Sequence, residues 1–295
     1  MDPRLTPFLD LQRGLVLRRQ AESVGVMPAD LARLVRTGEI ERVRRGVFAR
    51  PIVDDGPARP TLELVRRVRA ALMTHPQVIA THQSAAALHG LPLFDVDLSV
   101  VDLAGAISST TRRGDLRIRP MPPGGPYPQR FVPPALACVQ LAASSHVAAV
   151  VAMDAALNRR LVTRADLDAA AGLLPRARRT RAAAAVGATD PGAESVGETR
   201  TRLALRTLAR PVRSQVELRD ARGFVGRIDL MVEHVVVEFD GAVKYEGAEG
   251  RRALVAEKRR EDRIRALGHP VVRVTWGDLA DPAHWLARVH RLLRR

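Results

Sequence analysis

Two glycines near the start of the chain limit its possible folds more than any other feature. Gly25 interrupts one helical repeat, and Gly38 ends the next. Between them, Pro28 is suited to the first position of a helix, because its missing N–H would be unpaired there in any case. The pattern predicts two helices joined by a glycine-containing turn. The apolar side chains predicted to share one face of the second helix are Leu31, Leu34 and Val35.

The residues that precede Gly25 follow helical spacing through most of their length. Phe8, Leu11 and Leu15 recur at that spacing, and the repeat continues as far as Val24. Gly14 lies inside this stretch and weakens the prediction locally. We therefore expect a helix here, with Gly14 as its least secure point.

A basic segment follows Gly38 directly. Residues 40–49, IERVRRGVFA, predict two short strands around a turn, with Val43 and Val47 pointing inward. Helix, turn, helix and basic hairpin is the layout of a winged helix-turn-helix, whose second helix enters the major groove of DNA. A small packing domain with a solvated hairpin is the alternative. The arginines expected at the hairpin's tip and outer face are Arg42, Arg44 and Arg45.

The charge balance favours a polyanionic partner. The chain has 47 Lys and Arg against 32 Asp and Glu, which leaves a net charge of +15. Lys and Arg contacts to phosphate supply most sequence-independent affinity for nucleic acids. An arginine-rich surface that reflects only a GC-rich genome is the alternative. Cys138 is the single cysteine, so the chain has no intrachain disulfide and no thiolate zinc cluster.

The sequence predicts a cytoplasmic protein without a membrane segment. Its first residues, MDPRLTPFLDLQRG, lack the apolar core of a signal peptide. No apolar run reaches the roughly 18 residues needed to span a bilayer.

Two apolar segments near the C-terminus carry acidic residues at matching positions. Residues 226–232 and 235–240 predict neighbouring strands of a hairpin that turns at 233–234. In that register Asp229 lies opposite Glu238, because the two positions are symmetric about the turn. Glu-His is an unusual pair for a tight turn, so a slipped register is the alternative.

Further carboxylates are expected to join this pair. Asp240 shares a face with Glu238 by the alternation of a strand, and Glu198 lies on a predicted helix. Converging carboxylates raise one another's pKa or bind a divalent cation; Mg²⁺ prefers oxygen ligands and activates water against a phosphodiester. Asp229 and Glu238 are the expected metal ligands, and Lys244 is suited to stabilise developing negative charge. An acidic pocket neutralised by arginines, without metal, is the alternative.

Four segments together resemble the AbiEi-type antitoxins of type IV toxin–antitoxin systems. They are GVFAR after the basic hairpin, ATHQSAAALHGLPL, RIDLMVEHVVVEFDGAVKY and EKRREDRIRALGHPVVRVTW. The resemblance extends over nearly the whole chain. Its C-terminal part is similar to very-short-patch-repair-type endonuclease domains, which have a restriction-endonuclease-like fold.

The resemblance implies a repressor that binds double-stranded DNA at its own promoter. It also implies a nucleotidyltransferase-like toxin encoded beside it, which the antitoxin neutralises without requiring a stable complex. By the same resemblance, the DNA-facing residues are Arg33, Arg36, Arg42, Arg44 and Arg45.

The chain departs from the endonuclease pattern at two positions. Restriction-type sites usually carry Lys two residues after the second carboxylate, where this chain has Asp240, and repair-type relatives often carry His where it has Lys244. Both changes favour a retained scaffold over an active enzyme, because a fold alone does not establish a function. If the chain is a nuclease, it requires Mg²⁺; otherwise we expect no cofactor. The catalytic residues of a nuclease would be Glu198, Asp229, Glu238, Asp240 and Lys244.

We therefore predict an α+β protein in three parts. Residues 1–58 form a winged helix-turn-helix DNA-binding domain, residues 59–185 a mixed α/β middle segment, and residues 186–295 a restriction-endonuclease-like α/β domain. The favoured function is a DNA-binding antitoxin and autorepressor. A Mg²⁺-dependent endonuclease of the very-short-patch-repair type and an interaction scaffold are the alternatives.

Overall fold

The computed structural model describes the backbone of residues 1–241 and 247–294, and the side chains of all of these except residues 247–255. The chain folds as two compact units, Met1–Leu141 (unit 1) and Ala142–Arg295 (unit 2). Helices and three sheets make it an α+β protein, as predicted. The border between the units falls inside the predicted middle segment, and the three-part division stays a prediction. None of the described helices is long and apolar enough to cross a membrane.

The first part of unit 1 combines short helices with a three-stranded antiparallel sheet of order β1-β3-β2. The predicted helix, turn, helix and hairpin are all present. In chain order the elements are a 3₁₀ turn at Pro3–Leu5, α1 (Thr6–Leu11), β1 (Leu15–Leu17), α2 (Arg18–Ser23), α3 (Pro28–Arg36), β2 (Glu41–Arg44) and β3 (Val47–Ala49).

The prediction of a helix through Gly14 is wrong. Helix α1 ends at Leu11, and the chain reverses through Arg13 and Gly14, both of which have positive φ. Residues Leu15–Leu17 then form a fully buried strand that pairs with β3. Because three consecutive apolar side chains are buried here, the backbone gains more from pairing with β3 than from one further helical turn.

The rest of unit 1 contains a four-stranded sheet of order β4-β5-β7-β6, in which β5 and β7 run parallel. Its elements are α4 (Arg59–Thr74), β4 (Ile79–Ala80), α5 (His82–Leu88), β5 (Val101–Gly105), β6 (Thr111–Arg113), β7 (Leu116–Pro120) and α6 (Pro134–Leu141).

Unit 2 begins with four helices, α7 (His146–Asn158), α8 (Arg164–Gly172), α9 (Arg176–Gly187) and α10 (Val196–Leu205), followed by a 3₁₀ turn at Arg206–Leu208. A buried ion pair joins two of them. Asp154 on α7 accepts a hydrogen bond from the Arg202 guanidinium on α10 at 2.7 Å, and both side chains are almost fully buried. Thr199 also donates to Asp154, and Arg202 donates to the Ala188 carbonyl.

The remainder of unit 2 is a four-stranded sheet of order β11-β10-β9-β8, covered on both faces. Val235 and Val237 join a cluster with Trp285 of α13, whereas Val236 packs with Ile264 of α11 on the other face. The elements are β8 (Val212–Asp220), β9 (Gly223–Val232), β10 (Val235–Phe239), α11 (Gly247–Ala266), β11 (Val271–Val274), α12 (Trp276–Ala280) and α13 (Ala283–Leu292).

Helix α10 approaches β10 closely because Gly197 lacks a side chain. A Cβ atom at this position would lie 2.0 Å from the ring of Phe239. This close contact places Glu198, the next residue, beside the sheet and near the acidic residues of β9 and β10.

Candidate nucleic-acid interface and carboxylate site

The turn between α2 and α3 is fixed by local hydrogen bonds and by a shared core. Gly25 adopts φ +75°, and the N–H of Val26 donates to the Ala21 carbonyl. Pro28 opens α3, and the Asp30 carboxylate accepts the Met27 N–H at 3.0 Å. The buried residues that hold α3 against this core are Leu5, Leu9, Val16, Ala21, Val26, Leu31, Leu34, Ile40 and Phe48.

Helix α3 exposes its polar face to solvent. Arg33 and Arg36 are exposed, while Leu31 and Leu34 are buried. The prediction that Val35 shares the buried face is wrong, since its side chain is 36% exposed. Val35 instead lines a groove between α3 and the β2–β3 hairpin.

The β2–β3 hairpin turns at Arg45 and Gly46, and Gly46 provides the positive φ that the turn requires. Val47 is buried, and a bulge at Val43 shifts the register of β2. Arg42 and Arg45 are exposed. Arg44 differs from them, because its side chain is only 18% exposed and pairs with Asp115 at 3.7 Å.

The groove between α3 and the hairpin has a volume of about 480 Å³. Among the described residues its lining is apolar and basic and contains no carboxylate. Arg18 also lies at this groove, although the sequence analysis did not select it. Its position in the sequence could have indicated this role, because Arg18 is the first residue of α2, the first helix of the helix–turn–helix. The lining residues are Arg18, Pro28, Leu31, Ala32, Val35, Arg42, Arg45, Gly46 and Phe48.

The C-terminal hairpin forms in the predicted register. Val232 pairs with Val235 and Leu230 with Val237, so the turn falls at residues 233–234 and Asp229 comes opposite Glu238. Glu233 takes a positive φ of 52°, which allows the tight turn despite its side chain. The slipped register is therefore excluded.

Each carboxylate of this hairpin has a partner within the protein. Asp229 accepts the backbone N–H of Phe239 at 3.0 Å. Glu238 accepts a hydrogen bond from the Arg260 guanidinium of α11 at 2.7 Å, and the same nitrogen donates to the Arg227 carbonyl. Gly226 makes room for this arginine, since a Cβ atom there would lie 2.5 Å from the Arg260 Nε.

Ser195 is the N-cap of α10, and the Glu198 carboxylate in the first turn completes the cap. Its Oε1 accepts from the Ser195 hydroxyl at 2.8 Å, and its Oε2 accepts from the Glu194 N–H at 2.9 Å. Gln215 donates to Oε2 at 3.2 Å. Helix capping thus accounts for this carboxylate.

Asp229 has the most perturbed carboxyl group of the site. Burial raises its pKa to about 6, and the nearby charges of Glu198 and Glu238 raise it as well. The Phe239 N–H and Arg260 act in the opposite direction. Three of the four predicted carboxylates, Asp229, Glu198 and Glu238, are therefore close enough to interact electrostatically.

The residues as arranged do not fit a divalent cation. Within the described ranges, no three His, Cys, Asp or Glu side chains are grouped so that they could hold a metal. Arg260 holds Glu238, and the exposed Asp240 lies just beyond the end of β10. Lys244 lies outside the described residues. Sequence reasoning missed Arg260; its spacing of three from Glu257, with which it pairs at 3.2 Å, was the available signal.

The segment around His82 is a buried helix start. Helix α5 begins at His82, and the Ser84 hydroxyl accepts the N–H of Asp102 at 2.7 Å. Arg117 and Arg119 hold the Asp102 carboxylate. Burial raises the pKa of Asp102, but the Arg117 hydrogen bond and the charges of His82, Arg119 and Arg117 together outweigh it, so the pKa is lowered.

Comparison with known proteins finds a similarity that is confined to the N-terminal segment. Residues 3–51 match a family model described as a transcriptional regulator, AbiEi antitoxin. The matched range contains α1–α3, the hairpin and the groove between α3 and the hairpin. No curated protein matches the chain. The resemblance stated from the sequence is thus confirmed for the N-terminal segment.

Proposed function

We propose that the chain is a DNA-binding antitoxin and transcriptional autorepressor, and that α3 and the β2–β3 hairpin form a winged-helix contact with duplex DNA. The observation that carries the proposal is the basic groove between these elements, which Arg42 and Arg45 line, together with the exposed Arg33 and Arg36 of α3. Phosphate contacts by such side chains position a protein on DNA, while contacts from the inserted helix specify the sequence.

The five proposed DNA contacts are not equivalent. Arg42 and Arg45 are exposed on the hairpin, and neither has an ion pair with another described residue that would have to be broken before it binds phosphate. Arg33 lies 3.9 Å from Glu39, and Arg44 is partly buried beside Asp115. We therefore assign the larger contributions to Arg36, Arg42 and Arg45, and the smaller ones to Arg33 and Arg44.

The test is binding of the full-length chain to the duplex upstream of its own gene over a series of salt concentrations. Changing Arg42, Arg44 and Arg45 together to Ala removes up to three phosphate contacts. The slope of log Kobs against log salt should become shallower by up to about 2.7, at roughly 0.9 per contact. Arg44→Ala alone should change the slope least.

A matched control removes the same charge from unit 2. Arg288, Arg291 and Arg294 are exposed on α13 and just after it. Changing these three to Ala lowers the net charge equally and should leave the slope unchanged. Equal effects of the two triple variants would contradict the winged-helix contact.

The antitoxin role is tested by co-expression with the neighbouring gene. We propose that this gene encodes a nucleotidyltransferase-like toxin, and that the antitoxin protects cells from it without forming a stable complex. Growth should be restored by the full chain, and a promoter reporter should be repressed by it. The N-terminal triple variant should fold normally but no longer repress the reporter. That result would connect repression with DNA binding by the arginines of the hairpin.

A second candidate function is a Mg²⁺-dependent endonuclease of the very-short-patch-repair type on a restriction-endonuclease-like scaffold. The observation in its favour is the half-buried Asp229, which has Glu198 and Glu238 close by and a pKa of about 6. The ion pair between Arg260 and Glu238 counts against it, because the guanidinium neutralises a carboxylate that a metal would need. We therefore propose that residues 186–295 form a retained scaffold without nuclease activity.

A further inference from the structure

The first half of helix α9 carries several arginines whose positive charge is not neutralised by any nearby acidic residue that the structure describes. Four arginines fall within its first six residues, and all four are exposed: Arg176, Arg178, Arg179 and Arg181. Arg179 donates to the Leu174 carbonyl at 3.3 Å. In the part of the chain that the structure describes, Arg176, Arg178 and Arg181 have no acidic partner.

This arrangement opposes the electrostatics of a helix. The amino-terminal end carries partial positive charge, which favours acidic residues in the first turn and disfavours arginine. Like charges three residues apart, as at Arg176 and Arg179, also repel each other. Helix α9 has no acidic residue in its first turn and no side-chain cap.

The preceding helix provides a comparison within the same unit. Helix α8 has a side-chain cap from Thr163, with Asp166 in its first turn, and Arg164 has Asp168 as a partner at 3.5 Å. Unit 2 therefore neutralises the start of α8 and leaves the start of α9 strongly positive. An external anion is the partner that would offset this charge.

The distribution of the arginines indicates a polyanion. At 100° per residue they lie at about 0°, 200°, 300° and 140° around the axis, so they surround the helix instead of forming one stripe. Helix α9 packs through Ala182, Ala185 and Val186 in its second half, which leaves the first half free. The exposed side chains of that first half include no aromatic or large apolar residue, and protein interfaces depend on such anchors.

We propose that the first half of α9 is a second DNA contact, which binds the phosphates of duplex DNA independently of sequence. The proposal goes beyond the winged-helix contact, because it assigns part of the chain's DNA affinity to unit 2. Arg176, Arg178 and Arg181 are the contacting residues. Arg179 supports them by closing the turn that precedes the helix.

The test uses the full-length chain with Arg176→Gln, Arg178→Gln and Arg181→Gln, and a duplex of arbitrary sequence as the probe. Gln keeps the length and helix propensity of the side chain while removing its charge. The salt slope should become shallower by up to about 2.7, so a fourfold rise in salt weakens the wild type about 40-fold more than the variant. Circular dichroism checks that the helix content is unchanged.

The control variant carries Arg288→Gln, Arg291→Gln and Arg294→Gln, the same loss of charge at the opposite end of a helix. Its slope should equal that of the wild type. The α9 effect should also persist in a chain that carries the N-terminal Arg42, Arg44 and Arg45 triple change. The α9 proposal can therefore be tested even if the winged-helix proposal proves wrong.

Three results would overturn the proposal. One is an α9 variant with the slope of the wild type, and another is a control variant with an equal loss. The third is an α9 variant that binds the duplex normally but loses affinity for poly-L-glutamate. That last result would assign the patch to an acidic protein instead.

Discussion

The arginines of the N-terminal groove and the carboxylates of the C-terminal hairpin differ in how their charge is neutralised. Arg42 and Arg45 are exposed beside a groove lined by apolar and basic residues, whereas Asp229 and Glu238 receive hydrogen bonds from Phe239 and Arg260. A charge that the fold leaves in solvent is available to a ligand at little desolvation cost. A charge that the fold has already paired is less available to a ligand, because the ligand must first displace its partner.

The largest expected effect concerns the most deeply buried pair. Arg202→Met leaves Asp154 without its cation, and breaking a buried pair in this way costs about 3–5 kcal/mol. Urea unfolding followed by tryptophan fluorescence measures it, because both tryptophans, Trp276 and Trp285, lie in unit 2. The exposed pair of Arg210 with Glu233 is the control, and Arg210→Met should cost no more than about 1 kcal/mol. Equal losses of stability in the two variants would contradict the distinction between the buried and the exposed ion pair.

An intermediate loss of stability is expected when Arg260, the counter-ion of Glu238, is replaced. Arg260→Met removes the hydrogen bonds to Glu238 and to the Arg227 carbonyl, and it should destabilise unit 2 by about 2 kcal/mol. Gly226→Ala should have a smaller effect in the same direction, because its Cβ only displaces the flexible end of Arg260. Both are measured by the same unfolding assay. If Arg260→Met left the free energy of unfolding unchanged, the hydrogen bond from Arg260 to Glu238 would not contribute to stability.

The smallest expected effect is a stabilising one. The pKa of Asp229 is raised from 3.8 to about 6 in the folded state, so its ionisation destabilises the protein. This cost is absent below about pH 4, grows between pH 4 and 6, and is complete above pH 6. After allowance for solvent screening, Asp229→Asn should stabilise unit 2 by about 1 kcal/mol near pH 7.5 and by nothing near pH 4. A stabilisation that does not change with pH would contradict the assigned cause.

Local signals made the N-terminal segment and the C-terminal hairpin predictable. Gly25, Pro28 and Gly38 delimit α3, and the symmetry of Asp229 and Glu238 about the turn gave their pairing. The strand at Leu15–Leu17 was missed, because its burial depends on β3, more than thirty residues later.

The partners of the charged residues could not be predicted in the same way. The contact of Arg260 with Glu238 joins residues 22 positions apart, and that of Arg44 with Asp115 joins β2 to the turn between β6 and β7. Such contacts depend on how helices pack against sheets, which hydrophobic periodicity alone does not determine. The sequence therefore located the carboxylates but not the arginine that neutralises one of them.

The most direct test of the account compares two full-length variants on the upstream duplex in the presence of Mg²⁺. One carries Ala at Arg42, Arg44 and Arg45, and the other combines Asp229→Asn with Glu238→Gln. We expect weaker binding with a shallower salt slope for the first variant, wild-type binding for the second, and intact DNA with the wild type. Mg²⁺-dependent nicking by the wild type that disappears in the second variant would contradict this expectation and favour the endonuclease.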